Sequence, residues 1–320
     1  MPDHSRLARL LQFVCFLQLG LALAWIAWSW SSSPAGAVAG ALLVLGIAPV
    51  VLGVELLIVS QVARSDPATP RPTATQLLRA WVSESIQWYR VFCWRQPFRW
   101  RAESDALDAG AQGRQGIVFV HGFMCNRGFW NEWMRRCRSL GHPCIAVNLE
   151  PVYGSIDDYA AIIDAAMDRM HAATGHAPVL VCHSMGGLAA RAWWRAHGAD
   201  RQVAHVVTIG TPHRGTWLAR FSRRPNGRQM QLQCAWLQDL VAHERVRETP
   251  PITCWYSNCD NVVFPASTAT LPQADNRFVP GQSHVALAFD PVVVGGTFEI
   301  VAAAQRRQGE SVTETPIEIG

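Results

Sequence analysis

The chain has 320 residues, of which 49% are apolar and only 16% charged. That length fits one large domain with an appendage or two modest domains, and the apolar balance is unusual for a purely soluble protein. The net charge of +4 is spread thinly, and no lysine- or arginine-dense block is present, which argues against nucleic acid as a partner.

From the N-terminus, Leu7 to Trp30 form an apolar run broken only by Arg9, Gln12, Gln18 and Ser29. After Ser31-Ser32-Ser33-Pro34 a second run extends from about Ala37 to Val59. Each exceeds the ~20 residues that cross a hydrocarbon core as a helix. The expectation is a transmembrane hairpin within residues 1–64, with helices over about 7–30 and 37–60. A signal peptide is the competing reading of the first run, since Arg6 and Arg9 precede it. A signal's apolar region spans only ~7–15 residues, however, and has no second span behind it. Arg6 and Arg9 lie before the hairpin, Arg64, Arg71 and Arg79 after it, and the connecting loop carries no basic residue. The positive-inside rule then puts both ends in the cytoplasm. Glu55 falls in the second run near its cytoplasmic end, where a carboxylate is costly unless it is paired or near the interface; snorkelling or partial protonation accounts for it, and a proton relay is the weaker reading.

Residues 65–112 read as a linker and an amphipathic segment. Pro67, Pro70 and Pro72 prevent a helix from continuing. Gln76 to Trp100 is rich in tryptophan and arginine, and Leu77, Leu78, Trp81, Val82, Ile86 and Tyr89 recur at helical spacing. Such a stripe suits a helix lying on lipid headgroups and equally a helix covering the edge of a sheet.

From Gly116 onward strands alternate with helices, the signature of a parallel sheet. Strands are expected at Ile117–Val120, Cys144–Asn148, Val179–His183, Val203–Ile209, Pro251–Ser257 and Asn276–Val279, with helices at about 131–140, 156–174 and 188–197. The pivotal stretch is Val179-Leu180-Val181-Cys182-His183-Ser184-Met185-Gly186-Gly187, an apolar strand that enters a serine and leaves through two glycines into a helix. A serine on so sharp a turn needs small neighbours, and Gly186 and Gly187 supply them; the first small position, usually glycine, holds Cys182. A plain turn with a helix cap is the alternative. Chemistry in such sheets gathers beyond the carboxyl ends of the strands, where His121, Ser184, His213, Asp260 and His284 all fall. The nine cysteines are scattered with no paired CxxC, so they outline neither a zinc site nor a disulfide framework. Cys254 and Cys259 are close enough in sequence to pair, but a reducing compartment fits the rest. No metal or organic cofactor is implied.

His-Gly-Phe after the first core strand, His-Ser-Met-Gly-Gly at the elbow, Thr-Pro-His-Arg-Gly-Thr after the next strand, and then Asp260 and His284 in that order together resemble an α/β-hydrolase. The likeness is to its bacterial lipase and esterase branch and covers roughly Gln115 to Gln305, within an expected catalytic domain of residues 113–308. The order serine, acid, histidine is the one this fold uses. The resemblance implies Ser184 as nucleophile, His284 as general base and Asp260 as its orienting acid, with Asp275 and Asp290 as substitute acids. It also implies an oxyanion hole from the backbone N–H groups of Phe123 and Met185. His121, His183 and His213 are read as structural. Arg214 to Glu248, basic at first and apolar later, is either a cap over the acyl pocket or an ordinary crossover helix. The tail, 309–320, is polar and expected to fray. The resulting expectation is a serine hydrolase tethered to a bacterial inner membrane with its catalytic domain facing the cytoplasm, cleaving carboxylic esters of a lipid or other amphiphile. Thioesterase, amidase or acyltransferase chemistry remains open, as does a non-catalytic membrane adaptor or transporter accessory that keeps the fold for binding.

Overall fold

Among the described residues two helices are long and apolar enough to cross a membrane, Arg6–Ser29 and Ile47–Ser65. The computed structural model describes residues 5–108, 110–245 and 249–313; most of the expected tail lies outside them. Helix α1 (Arg6–Ser29) is capped by the Ser5 hydroxyl, which accepts from the Ala8 N–H. At ~1.5 Å per residue its length is about 36 Å. The chain turns at Ser33, whose hydroxyl caps α2 (Pro34–Leu45), and α2 packs back along α1.

The second apolar run is not one helix, as its composition suggests, but two. Helix α2 ends at Gly46 and α3 (Ile47–Val62) begins beyond it. Pro49 has no N–H to offer the Leu45 carbonyl, so the helical ladder is interrupted there. The freed carbonyls find side chains instead. Tyr89 Oη donates to Leu45 O at 2.7 Å and Gln18 Nε2 to Val44 O at 2.8 Å, while Trp81 Nε1 adds a bond to Pro49 O within α3 at 2.7 Å.

Helix α4 (Ala74–Trp88) starts with a capping box between Thr73 and Gln76 and continues through a π-helical segment, Tyr89–Arg95. Its apolar stripe faces outward: Leu78, Val82 and Ile86 are exposed, while Ala80 and Glu84 are buried against the body. One face of this helix thus covers the body, and the other presents exposed apolar side chains.

In the body, α5 (Asn131–Leu140), α6 (Ala160–Thr174), α7 (Met185–His197), α8 (Ala235–Glu244) and α9 (Pro291–Thr313) flank a sheet. Among the described residues the sheet has six parallel strands: β1 (Ile117–Val120), β2 (Cys144–Ala146), β3 (Val179–His183), β4 (His205–Ile209), β5 (Ile252–Tyr256) and β6 (Asp275–Phe278), in spatial order β2-β1-β3-β4-β5-β6. Both faces are covered, so the central strands are apolar throughout rather than alternating. Val118, Val120, Leu180 and Cys182 pack against α6, α7 and α8 through Ile163, Met167, Leu188, Trp193 and Leu240. Ile117, Phe119, Val179 and Val181 face α5 and α9 through Trp133, Met134, Val293 and Val301. The described cysteines are free thiols, Cys254 and Cys259 included.

The hairpin joins the body at the carboxyl edge of this sheet. The Arg6 N–H donates to Glu150 beyond β2 at 2.9 Å. On the other leg, Asp66 accepts from Ser267 N at 3.0 Å and Glu55 from Asn261 Nδ2 at 2.7 Å, both partners lying beyond β5.

Candidate active site

Strand β3 delivers Ser184 onto a sharp turn. Its φ of 54° and ψ of −128° lie in a region that non-glycine residues rarely occupy, a strain of about 1–3 kcal/mol that the surrounding contacts must hold. Ser184 N donates to Ile209 O at 2.9 Å, and Thr211 Oγ1 donates to Ser184 O at 2.9 Å. The glycines that follow are there because nothing larger fits. A Cβ on Gly186 would meet Val120 O at 2.4 Å, and one on Gly187 would meet Thr211 Oγ1 at 2.3 Å. Cys182 sits fully buried in the strand, so its departure from glycine is absorbed by core packing, and burial pushes its thiol well up out of the reactive range.

The acid and histidine come from loops beyond β5 and β6. His284 Nδ1 bonds to Asp260 Oδ2 at 2.9 Å, with both side chains almost wholly buried. The other Asp260 oxygen accepts from Val262 N at 2.9 Å and Val263 N at 2.7 Å, which fixes the carboxylate. The pair meets the Ser184 turn at Gly210, the residue after Ile209. A Cβ there would lie 3.0 Å from Asp260 Oδ2 and 3.2 Å from His284 Nδ1, and φ at Gly210 is +57°. The structure thus brings Ser184, Asp260 and His284 to the end of β4. It leaves the substitute acids elsewhere: Asp275 bonds Arg277, and Asp290 accepts from Val292 N and Gln282 Nε2.

Burial alone pulls the His284 imidazole down, but the Asp260 charge and hydrogen bond, with Glu84 and Glu55 behind them, carry it above its ordinary value. The other buried histidines go the opposite way. His121 is pushed down to about 4 by burial, and its ring bridges Gly122 O and Leu149 N. His183 is driven down by burial and then by the neighbouring His284; it stacks on Phe129 and bonds His284 O at 3.2 Å. His213 is also pushed down by burial and contacts Thr208 Oγ1 at 3.1 Å. All three are neutral rings that pin loops.

Phe123 follows Gly122 in the loop after β1, and Gly122 abuts Ser184, since a Cβ on it would come 2.7 Å from Ser184 Cβ. Met185 opens α7, so its N–H has no partner inside the helix. Phe123 and Met185 thus flank Ser184 in the chain's fold. The basic stretch after β4 divides in two. Residues 216–229 arch across the carboxyl edge, from Thr216 Oγ1 on Val262 O at 2.5 Å to Asn226 Nδ2 on Val152 O at 2.8 Å. Helix α8 then covers the sheet face, tied to α7 by Arg191, which bonds Glu244 at 2.7 and 2.8 Å. The last residues of the expected 214–248 cap, 246–248, lie outside the described ones.

Three groups surround the histidine, and only Glu55 among them is singled out by the sequence. Asn261 Oδ1 accepts from His284 N at 3.1 Å. Glu84 is 2% exposed and accepts from Val285 N and Ala286 N at 3.1 Å. Glu55, read as a snorkelling carboxylate, is instead paired with Asn261. The available signal for Glu84 was its spacing, four residues from Ala80 and so on the same helical face.

With this geometry in place, comparison with known proteins is decisive for the family. The profile of the alpha/beta hydrolase family matches residues 117–314. The chain belongs to that family. Among solved structures, the mature lipase BlEst2 of Bacillus licheniformis superposes with a TM-score of 0.52 at 18% identity, over 60% of this chain and 92% of that one. Aspergillus fumigatus lipase B superposes with a TM-score of 0.54 at 17% identity, over 61% of this chain and 55% of that one. At such identities the likeness is one of fold. A comparison of the sequence with curated proteins gives no match. Membership of the alpha/beta hydrolases agrees with the parallel sheet and the strand-to-helix serine turn, and the hairpin lies outside the matched region.

Proposed function

We propose that this alpha/beta hydrolase is a membrane-anchored serine hydrolase that cleaves carboxylic esters of lipids or other amphiphiles through an acyl-enzyme on Ser184. The observation that carries this reading is the buried Asp260–His284 bond at the turn that holds Ser184 in strained geometry. In the proposed sequence His284 Nε2 takes the proton from Ser184 Oγ as that oxygen attacks the acyl carbonyl. The Phe123 and Met185 N–H groups hold the oxyanion, and the imidazolium passes the proton to the leaving alkoxide. Water then enters by the same route in reverse, with His284 as base, and frees the acid. Asp260 stays ionised, holding the ring and stabilising the imidazolium.

The membrane part of the proposal rests on exposure. The most apolar stretch of α1 is almost unburied by the protein, and Phe13, Phe16, Leu21, Trp28, Leu42 and Leu57 all stand open. So large an apolar surface needs lipid around it. Basic residues on both outer flanks and none in the turn support a body on the cytoplasmic side of an inner membrane. Because both legs enter the body beside the carboxyl edge, the proposed site faces the bilayer. Its rim suits an amphiphile, with Trp217 stacked on Phe264, Arg220 over Trp217 at 3.9 Å, Arg224 over Tyr153 at 5.0 Å, and Phe221 exposed. The segment 216–229 would then act as the cap.

The test is turnover of short- and long-chain esters by the detergent-solubilised protein and its Ser184→Ala variant. Hydrolysis that rises with chain length and disappears in Ser184→Ala is expected. Undiminished hydrolysis by Ser184→Ala would refute the acyl-enzyme, and a folded protein inert towards every ester would favour the adaptor reading.

A further inference from the structure

Glu84 is a carboxylate placed where a carboxylate is expensive. It is 2% exposed, on the inner face of a helix whose outer face is apolar, and burying an ion without partners costs several kcal/mol. An alanine or leucine would cover the body as well. Its oxygens are committed to one purpose: both accept from Val285 N and one also from Ala286 N, each at 3.1 Å. These are the two peptide groups that follow His284.

Other amides of that loop are held in the same way. His284 N donates to Asn261 Oδ1 at 3.1 Å, and Asn261 Nδ2 in turn donates to Glu55 Oε2 at 2.7 Å. Gln282 N donates to Ser257 Oγ at 2.9 Å and Gly281 N to Asn258 Oδ1 at 2.9 Å. Ser83 lies 3.4 Å from Ser283 between their hydroxyls. The loop carrying the histidine therefore has almost no freedom of its own, and two of the groups that fix it come from outside the sheet, Glu84 on α4 and Glu55 on α3.

We propose that Glu84 is a positioning residue for His284: it clamps the peptide groups after the histidine, aims the imidazole at Ser184, and makes catalytic competence depend on the seating of α4. The assignment rests on the serine-hydrolase reading above. Its consequence is that the helix whose exposed face carries Leu78, Val82 and Ile86, the face turned to lipid, holds the general base with its other face.

Burial raises the Glu84 carboxyl above its ordinary value, against the pull of His284 and the Val285 and Ala286 amides, and in its ionised form it also acts on the imidazolium through space. The titratable groups that face His284 are Asp260 from the β5 loop, Glu84 from α4, Glu55 from α3 and His183 from β3. The carboxylates stabilise the protonated ring, so removing one of them lowers its pKa. His284 must be neutral to act as base, so the acid limb of kcat/KM moves to lower pH.

The experiment uses the full-length protein in detergent, with ester turnover normalised to active sites titrated by a fluorophosphonate. Glu84→Gln is expected to lower kcat about tenfold or more, leave KM within about twofold, and shift the acid limb downward. Glu84→Asp keeps the charge but falls short of the amides; it is expected to lower kcat several-fold with the limb unmoved. Glu132→Gln, a carboxylate paired with Arg95 and remote from the histidine, is expected to leave both unchanged. The assignment is overturned by wild-type kcat and pH limb in folded Glu84→Gln, or by a change confined to thermal stability. If Glu84→Gln does not fold, wild-type kcat in Glu84→Asp overturns it. Wild-type turnover by Ser184→Ala would sink the underlying hydrolase reading instead, whatever the Glu84 variants do.

Discussion

In the hairpin, Phe13, Phe16, Leu21, Trp28 and Leu42 stand open, whereas at the carboxyl edge of the sheet Asp260, Asn261, His284 and Glu84 are all buried. One region exposes what water rejects, and the other buries what water would solvate. An open apolar surface is stable only when something apolar covers it, which is lipid in the function proposed above, and a buried polar cluster only with a full set of hydrogen-bond partners. The two regions meet through Glu55, which sits on an apolar helix and yet bonds a residue adjacent to Asp260. The hairpin therefore supplies part of the polar framework behind the proposed site.

The sharpest way to break this comparison is at Asp260. Asp260→Asn leaves the shape in place but favours the wrong imidazole tautomer, and kcat for ester hydrolysis is expected to fall by about 10⁴-fold. Asp275→Asn and Asp290→Asn should stay near wild type; a collapse in either one instead would move the acid. Next in size is the hairpin. Leu17→Arg combined with Leu21→Arg puts two charges into the exposed face of α1, each costing about 2.5–3.5 kcal/mol in a bilayer. The variant is expected to leave the membrane fraction on centrifugation, and full retention would argue against a span.

Smaller effects sharpen the account of the edge. Gly210→Ala places a side chain in a left-handed conformation, which costs about 1–2 kcal/mol, and pushes on the Asp260–His284 pair. A lower melting temperature by a few degrees together with about a tenfold loss of kcat is expected from thermal unfolding and initial rates. The loss of stability without loss of rate would show that the pair is not seated there. The pH profile is the subtlest. His284 is raised above its ordinary value, so in the wild type the acid limb of kcat/KM is expected above the usual imidazole pKa of about 6.5, with activity rising as pH increases through it.

Much of this was legible from residues alone. The fully apolar strands Ile117–Val120 and Val179–His183 announced themselves because a parallel sheet buried on both faces leaves no polar alternation to read. The elbow was legible because strain at Ser184 demands small neighbours within a few positions. The division at Gly46 was not, because two apolar helices and one long one have the same composition, and what separates them is a missing N–H at Pro49 repaired by Tyr89 and Gln18 from distant positions. Glu84 was hidden for a related reason. Its meaning lies in contacts with Val285 and Ala286, about two hundred positions away, and local periodicity carries no trace of them.

The most direct test of the central claim is covalent labelling of the membrane-embedded protein by a fluorophosphonate, which reacts only with an activated serine. The account predicts stoichiometric labelling of the wild type, with the adduct mapped to Ser184 by peptide mass spectrometry, and none in Ser184→Ala or His284→Ala. A folded wild type that resists labelling across a detergent series, or an adduct on another residue, would contradict it.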